Sequence, residues 1–274
     1  MKRLFSRFAE LPGLARAMGM VGFLLAVGVA SGWAPFREQR EIRVLAAAGP
    51  EAEILTFIRD RHPDLGLDVT VDSQDYVTAL TRGDVDVASV DTQVALLERI
   101  GPTGAALSNA GATVTKPLGF YASRGAGASW SAGTSVVLPA ERQLQSRALL
   151  LLYSSGYVTF SRDANTNLSF EEVLGNPKGL AFSTATRDDR LTRVRGNDAA
   201  LVALDYDEAW SAELQPARDA SLMEDGFSPF FNVLVVRERD SKAPWLAALL
   251  TAYRESEVKA FILRSYNDSV RRPW

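Results

Sequence analysis

The side chains of this chain that are best suited to chemistry are carboxylates. A predicted strand at Leu201–Leu204 ends at Asp205, and Asp207 and Glu208 follow it. Asp188 and Asp189 form a second acidic group. Paired carboxylates can cleave glycosidic bonds or hold Mg²⁺. An acidic run after a strand is more often the capped start of a helix, so a carboxylate-based hydrolase is the weaker hypothesis.

Other reactive groups are scarce in the sequence. Its 274 residues include no cysteine and a single histidine, His62. These counts exclude a thiolate nucleophile, a disulfide, a cysteine zinc site and a two-histidine metal centre. We therefore expect a protein that is not an enzyme and that needs no metal and no cofactor.

The charge of the chain points away from nucleic acid. The formal net charge is -3 and the isoelectric point is near 5.4. No basic stripe of the kind that neutralises phosphates is present. We expect no nucleic-acid partner.

The elements that must position the acidic residues follow an α/β pattern. A strand at Glu41–Ala46, a helix at Glu51–Arg61 and a strand at Leu67–Val71 occur within about 30 residues, which is the length of a βαβ unit. Such a unit requires parallel strands and a right-handed crossover. The sequence therefore predicts an α/β fold.

A second strand-to-helix junction carries polar side chains. The predicted strand Val85–Val90 leads into a helix that we expect from Asp91 to Arg99, so Asp91 and Thr92 stand at the carboxyl end of a strand. Ligands of open α/β sheets lodge at that edge. Capping of the helix by Asp91 is an equally good interpretation.

The remaining pattern predicts two lobes. Small residues at 124–129 look like a flexible connection, a new α/β unit begins at Ser135–Pro139, and Phe230–Val236 reads as a strand that returns to the first lobe. A ligand cleft should lie between the lobes. The predicted boundaries are 41–123 with 227–274 for lobe one and 124–226 for lobe two.

The N-terminus has the layout of an export signal. Basic residues precede an apolar run at 17–30, which small residues follow. The run is shorter than the ~20 residues that cross a bilayer comfortably. We interpret residues 1–34 as a signal peptide, with an uncleaved N-terminal anchor as the alternative.

Four runs carry a resemblance to a known family. Ser146–Leu152, Asp84–Asp86, Ser228–Val236 and Tyr266–Trp274 resemble, in order and spacing, the methionine-binding lipoproteins of ABC importers, the NlpA family. The resemblance extends from about Glu41 to Trp274. It implies a type II periplasmic binding protein, with two α/β lobes joined by two crossovers, that closes over an amino acid.

The resemblance implies three polar contacts to the ligand. Arg147 falls on the family's arginine for the ligand carboxylate, and a guanidinium suits that role because it offers two parallel donors. Asn232 keeps a family asparagine, whereas Asp205 replaces another one. Asp205 is expected to take the ligand ammonium; the alternatives are that it pairs with Arg147 in the empty cleft or caps the next helix.

The resemblance does not identify the side chain of the ligand. The family's aromatic and histidine loop aligns with Val90, Asp91 and Thr92, so that aromatic box is missing. Tyr76 remains as a candidate ligand contact beside Asp91 and Thr92. Tyr121 and Phe230 are candidates for the hinge or cleft wall. A methionine-like or a more polar amino acid is therefore expected.

The family also implies partners and a location. We expect a monomer that delivers its ligand to an ABC permease and its ATPase. Because the family's acylated cysteine has no counterpart here, the protein should be free in the periplasm or tethered by an uncleaved signal. Presentation of the ligand to a membrane sensor is the alternative function.

Overall fold

Two five-stranded sheets organise the chain. The computed structural model describes residues 40–72, 75–124, 129–161, 167–198 and 200–274, and residues Glu41–Trp274 form one compact unit. The predicted signal at residues 1–34 lies outside these ranges. Within them, no helix combines the length and the apolar character that crossing a bilayer requires.

The first sheet forms lobe one. Its strand order is β2-β1-β3-β12-β4, with β1, β2 and β3 parallel and β12 antiparallel to both of its neighbours. The strands span β1 Ile42–Ala46, β2 Leu67–Val71, β3 Val87–Ser89, β4 Leu107–Ala112 and β12 Val233–Arg237.

The second sheet forms lobe two. Its strand order is β11-β5-β10-β6-β9, and β6, β9 and β10 are parallel. The strands span β5 Gly119–Ala122, β6 Ser135–Pro139, β9 Ala181–Ala185, β10 Ala200–Leu204 and β11 Ala220–Met223, with a separate short pair at β7 Thr159–Phe160 and β8 Val173–Gly175.

Helices cover both sheets. Lobe one carries α1 Pro50–Arg61, α2 Tyr76–Arg82, α3 Gln93–Thr103, α8 Pro244–Tyr253 and α9 Ser256–Tyr266. Lobe two carries α4 Arg142–Ser154, α5 Arg187–Arg195, α6 Tyr206–Ser211 and the short α7 Pro216–Asp219. The mixed α/β class and the two sheets confirm the predicted fold.

The helix that follows β3 starts later than predicted. The side chain of Thr92 accepts a hydrogen bond from the Ala95 N–H at 3.2 Å, so Thr92 caps the helix, which begins at Gln93 and not at Asp91. The helix also continues to Thr103, beyond the predicted end at Arg99, and Gly104 ends it with a positive φ of 60°.

The first crossover between the lobes lies earlier than the sequence suggested. The strand β5 pairs with β10 and β11 of the second sheet. The chain therefore passes from lobe one to lobe two between Ala112 and Gly119, ahead of the position 124–129 at which the sequence placed the crossover. The return crossover runs from Met223 to Val233 and includes the predicted boundary at 227.

Each lobe has its own apolar core. In lobe one, α8 contributes Leu246, Leu249 and Tyr253 to a cluster that also contains Ile54 and Leu234. This helix forms because Pro244 fixes its first turn and apolar side chains recur along one face.

Truncation of this core should lower the free energy of unfolding. Leu249 is fully buried, and Leu249→Ala should cost about 3 kcal/mol because it leaves a cavity. Leu263→Ala is the matched control, since Leu263 is 52% exposed on the neighbouring helix. Urea unfolding of both variants measures the difference; equal losses would contradict the packing described.

Candidate functional site

A cavity of about 250 Å³ lies between the two lobes. Both lobes contribute to it, and so do both crossovers. The lining residues are Val90, Asp91, Thr92, Val94, Ala95, Lys116, Gln143, Leu144, Arg147, Asp205, Asp207, Phe230 and Asn232.

The fold brings these side chains together at the carboxyl ends of strands. Asp91 follows β3 in lobe one, and Asp205 follows β10 in lobe two. Arg147 comes from the helix after β6, which is parallel to β10, so the two side chains start from the same edge of one sheet. This edge is where α/β proteins bind ligands.

Two other hollows are larger but less suited to ligand capture. One, of about 480 Å³, is lined only by residues of lobe one around Arg237. The other, of about 390 Å³, lies beside Tyr206, Trp210 and Tyr266. The second is lined from both lobes and shares Asp207 with the smaller cavity, but neither contains Arg147, Asp205 or Asn232, so the smaller cavity is the candidate site.

Arg147 is buried and already holds a carboxylate. Its Nε lies 2.9 Å from both carboxylate oxygens of Glu224, and its Nη2 lies 2.5 Å from Glu224 Oε2 and 2.6 Å from the Lys116 carbonyl. Among the described residues Nη1 has no hydrogen-bond partner. The guanidinium therefore offers the cavity one nitrogen and not the two parallel donors that the sequence suggested.

Glu224 is the partner that sequence reasoning missed. It also accepts hydrogen bonds from the Leu118 N–H at 2.8 Å and from the Ser228 hydroxyl at 3.1 Å. Four donors from two crossovers and one helix thus converge on this carboxylate. No local sequence signal identifies it, because its contacts join residues that lie 77 and 106 positions apart.

Asp205 caps α6, which is one of the alternatives that the sequence predicted. Its Oδ1 accepts from the Glu208 N–H at 2.8 Å, while the Glu208 side chain accepts from the Asp205 N–H at 3.1 Å. It makes no ion pair with Arg147. Its Oδ2 has no hydrogen-bond partner in the described ranges, so it remains available to the cavity.

The acidic residues that follow β10 have a structural role in lobe two. Burial, and next the charge of Asp205, raise the pKa of Glu208, which pairs with the fully buried Arg190 at 2.5 Å. Asp188 and Asp189 occupy the first turn of α5. Within the described ranges, no three acidic or histidine side chains are grouped to hold a metal ion.

Asn232 is oriented by a buried glutamate. Its Nδ2 donates to Glu51 Oε1 at 2.6 Å, and both side chains are almost fully buried. With the amide nitrogen facing Glu51, the amide oxygen of Asn232 faces away from it. The Oδ1 of Asn232 has no partner among the described residues and is left as an acceptor for the cavity.

A lysine of the first crossover joins the lobes through charge. The Nζ of Lys116 lies 3.2 Å from Glu51 in lobe one and 3.2 Å from Asp207 in lobe two. Burial alone lowers the pKa of Lys116, but the charges of Glu51 and Asp207 outweigh it and raise the pKa. Burial raises the pKa of Glu51. Sequence reasoning missed Lys116 and Glu51, although Glu51 follows β1 at the same sheet edge.

The other predicted contacts divide between the wall and the protein interior. Asp91, Thr92 and Phe230 line the cavity, with Asp91 paired to Arg99 at 2.6 Å. Tyr76 is buried behind Asp91 and does not line the cavity; burial, and next the charge of Asp91, raise its pKa.

Tyr121 does not form a cleft wall. It is fully buried in the core of lobe two, beside Val137 and Val202, because the β5 strand that carries it belongs to the second sheet. Phe230 does form part of the wall, with the Arg147 guanidinium 5.1 Å from the centre of its ring. It is the single aromatic ring among the lining residues that the structure describes.

Two α/β lobes that enclose a polar cavity at their strand ends are the architecture of the substrate-binding proteins of ABC transporters. The profile of the NlpA lipoprotein family matches residues 42–274. The chain belongs to that family.

Relatives and solved structures agree with this class. Outer membrane lipoprotein 2 of Mannheimia haemolytica is 27% identical over 85% of this chain and 86% of its own length. The D-methionine-binding lipoprotein MetQ of Yersinia pestis is 25% identical over 97% and 99%. A nutrient binding protein from Burkholderia cenocepacia bound to methionine is 29% identical with a TM-score of 0.68, covering 85% of this chain and all of the other.

A second solved structure comes from a transport system. The periplasmic substrate-binding protein of an ABC transporter from Coxiella burnetii is 26% identical with a TM-score of 0.69 and covers 84% of this chain and 99% of the other.

Removal of the Glu224 charge should destabilise the protein. Glu224→Gln leaves the Arg147 guanidinium buried without its counter-ion, which costs about 3 to 5 kcal/mol of unfolding free energy. Asp225→Asn is the matched control, since Asp225 is the exposed neighbour of Glu224. Chemical denaturation would contradict the assignment if both variants lost the same small amount.

Proposed function

We propose that this protein is an extracytoplasmic solute-binding protein of an ABC importer and that it captures an α-amino acid between its lobes. The observation that carries the proposal is the set of unpartnered polar atoms around one cavity. Arg147 offers a donor, and Asp205 and Asn232 offer acceptors. An α-amino acid carries the complementary carboxylate and ammonium.

The proposed pose divides the ligand between the lobes. The ligand carboxylate accepts from Nη1 of Arg147 in lobe two. The ligand ammonium donates to Oδ2 of Asp205 and to Oδ1 of Asn232, which lies on the return crossover just before β12. Contacts from both lobes favour the closed arrangement, because a ligand can shift an equilibrium only by its differential affinity for the two states.

The relatives supply candidates for the ligand. Methionine and D-methionine, for which two of the relatives are named, are the first compounds to try. The wall that faces the ligand side chain consists of Val90, Asp91, Thr92, Val94 and Ala95 from lobe one. It contains a carboxylate and no aromatic ring, which favours a more polar amino acid over methionine.

The proposal includes delivery and location. The closed protein, acting as a monomer, passes its ligand to a membrane permease that its ATPase drives. Residues 1–34 direct export, and the protein then stays free in the periplasm or remains tethered by this segment. The relatives that are named as lipoproteins or periplasmic proteins support an extracytoplasmic location.

Binding should stabilise the protein and should depend on Arg147. A thermal-shift screen of L- and D-amino acids, amino-acid amides and organic acids is expected to reveal stabilisation, since ligand binding adds RT ln(1 + [L]/Kd) to stability. Arg147→Lys keeps a charge for Glu224 but loses Nη1, so it should weaken binding at least ~10-fold.

Arg142→Lys is the matched control for that experiment. Arg142 lies on the same helix, is exposed and does not line the cavity. Calorimetric titration should show unchanged affinity for this variant. If Arg147→Lys also bound with unchanged affinity, or if no amino acid or amine bound to the unaltered protein, the proposal would fail.

A further inference from the structure

The charge balance of the cavity goes a step beyond the proposed function, on which it rests. Five charged side chains line the cavity: Asp91, Lys116, Arg147, Asp205 and Asp207. A ligand that closes this space must suit the charges that remain unpaired there, because an uncompensated charge removed from water costs several kcal/mol.

The two positive side chains are already neutralised by the protein. Arg147 contacts both oxygens of Glu224, and the two side chains are only 9% and 5% exposed. Lys116 contacts Glu51 and Asp207 at once. Neither cation therefore requires a negative charge from the ligand, although the free Nη1 of Arg147 still accommodates one hydrogen-bond acceptor.

The negative side chains differ from one another. Asp91 pairs with Arg99, and Asp207 pairs with Lys116 and is 67% exposed. Asp205 has no lysine or arginine within ion-pair distance in the part of the chain that the structure describes. The Glu208 N–H donates to the carboxylate of Asp205 but brings no full positive charge.

The sum of these pairs is negative. The pairs of Arg147 with Glu224 and of Asp91 with Arg99 cancel, and Lys116 is at least neutralised whichever protonation state Glu51 adopts. Asp205 remains. A zwitterion brings no net charge and leaves the charge of Asp205 uncompensated in the closed cavity, whereas a ligand with one net positive charge neutralises it.

We infer that the preferred ligand of this cavity is a small molecule with one net positive charge: an amino acid with a short basic side chain, or an amino compound whose carboxylate is masked. Both types place an ammonium at Asp205. In the first type, Asp91 and Asp207 flank the second ammonium. In the second type, the free Nη1 of Arg147 donates to a neutral carbonyl.

Matched ligand pairs test the inference by calorimetric titration of the unaltered protein. Ornithine and norvaline differ by a positive charge at the end of a side chain. Methioninamide and methionine differ by the negative charge of the carboxylate. The cationic member of at least one pair should bind ~10-fold tighter or more, and the pair that shows the gain identifies which source of positive charge the cavity selects.

Removal of the Asp205 charge should abolish this preference. Asp205→Asn retains an oxygen that can accept from the Glu208 N–H, so the helix cap survives. The cationic and zwitterionic members of the selected pair should then bind within ~3-fold of each other. Asp188→Asn is the matched control, because Asp188 is an exposed aspartate of lobe two outside the cavity, and it should keep the full preference.

The outcomes separate the two proposals. If methionine and norvaline bind as tightly as their cationic partners or more tightly, the inference of a cationic ligand is overturned while amino-acid capture survives. A preference that persists unchanged in Asp205→Asn also overturns it, since the selecting charge would lie elsewhere. If none of the four compounds binds, and the wider amino-acid screen is also negative, the proposed function itself fails.

Discussion

The ion pair between Arg147 and Glu224 is the contact on which the site depends. Glu224 stands at the start of the return crossover and also holds the backbone N–H of Leu118 on the first crossover. Arg147 donates in turn to the carbonyl of Lys116 on that same crossover. One buried charge pair thus fixes a helix of lobe two against both segments that join the lobes, and it fixes the wall of the cavity with them.

The same pair changes what the cavity can recognise. An arginine without a counter-ion would favour an anion, but Glu224 cancels its charge and leaves it to act as a hydrogen-bond donor with a defined direction. The electrostatic character of the cavity then falls to Asp205, which stands where the family resemblance led us to expect an asparagine. The carboxylate that replaces an amide at the end of β10 therefore contributes more than Arg147 to the net charge of the cavity.

Local sequence patterns predicted the helices well where a proline or a capping residue marks the start of the helix. The helix predicted at Glu51–Arg61 matches α1 to within one residue, and Thr92 was placed at a strand-to-helix junction even though the helix start was set two residues too early. The family resemblance placed Arg147 and Asn232 at the cavity. The partners of these side chains could not be predicted, because Glu224 and Glu51 approach them only after distant segments pack. Tyr121 was misplaced for a related reason: the lobe of its strand was decided by sheet pairing.

The contacts of the first crossover also locate the pivot between the lobes. Thr115 exchanges two backbone hydrogen bonds with Arg271 of the C-terminal segment, so it moves with lobe one. The carbonyl of the next residue, Lys116, is held by Arg147 and moves with lobe two. Any rotation of the lobes about this crossover would fall on the dihedral angles of Lys116, since the ring of Pro117 fixes the φ angle of the next residue. The same residue therefore joins the lobes twice, through its backbone at the point where the chain changes lobe and through its ammonium, which contacts a carboxylate of each lobe.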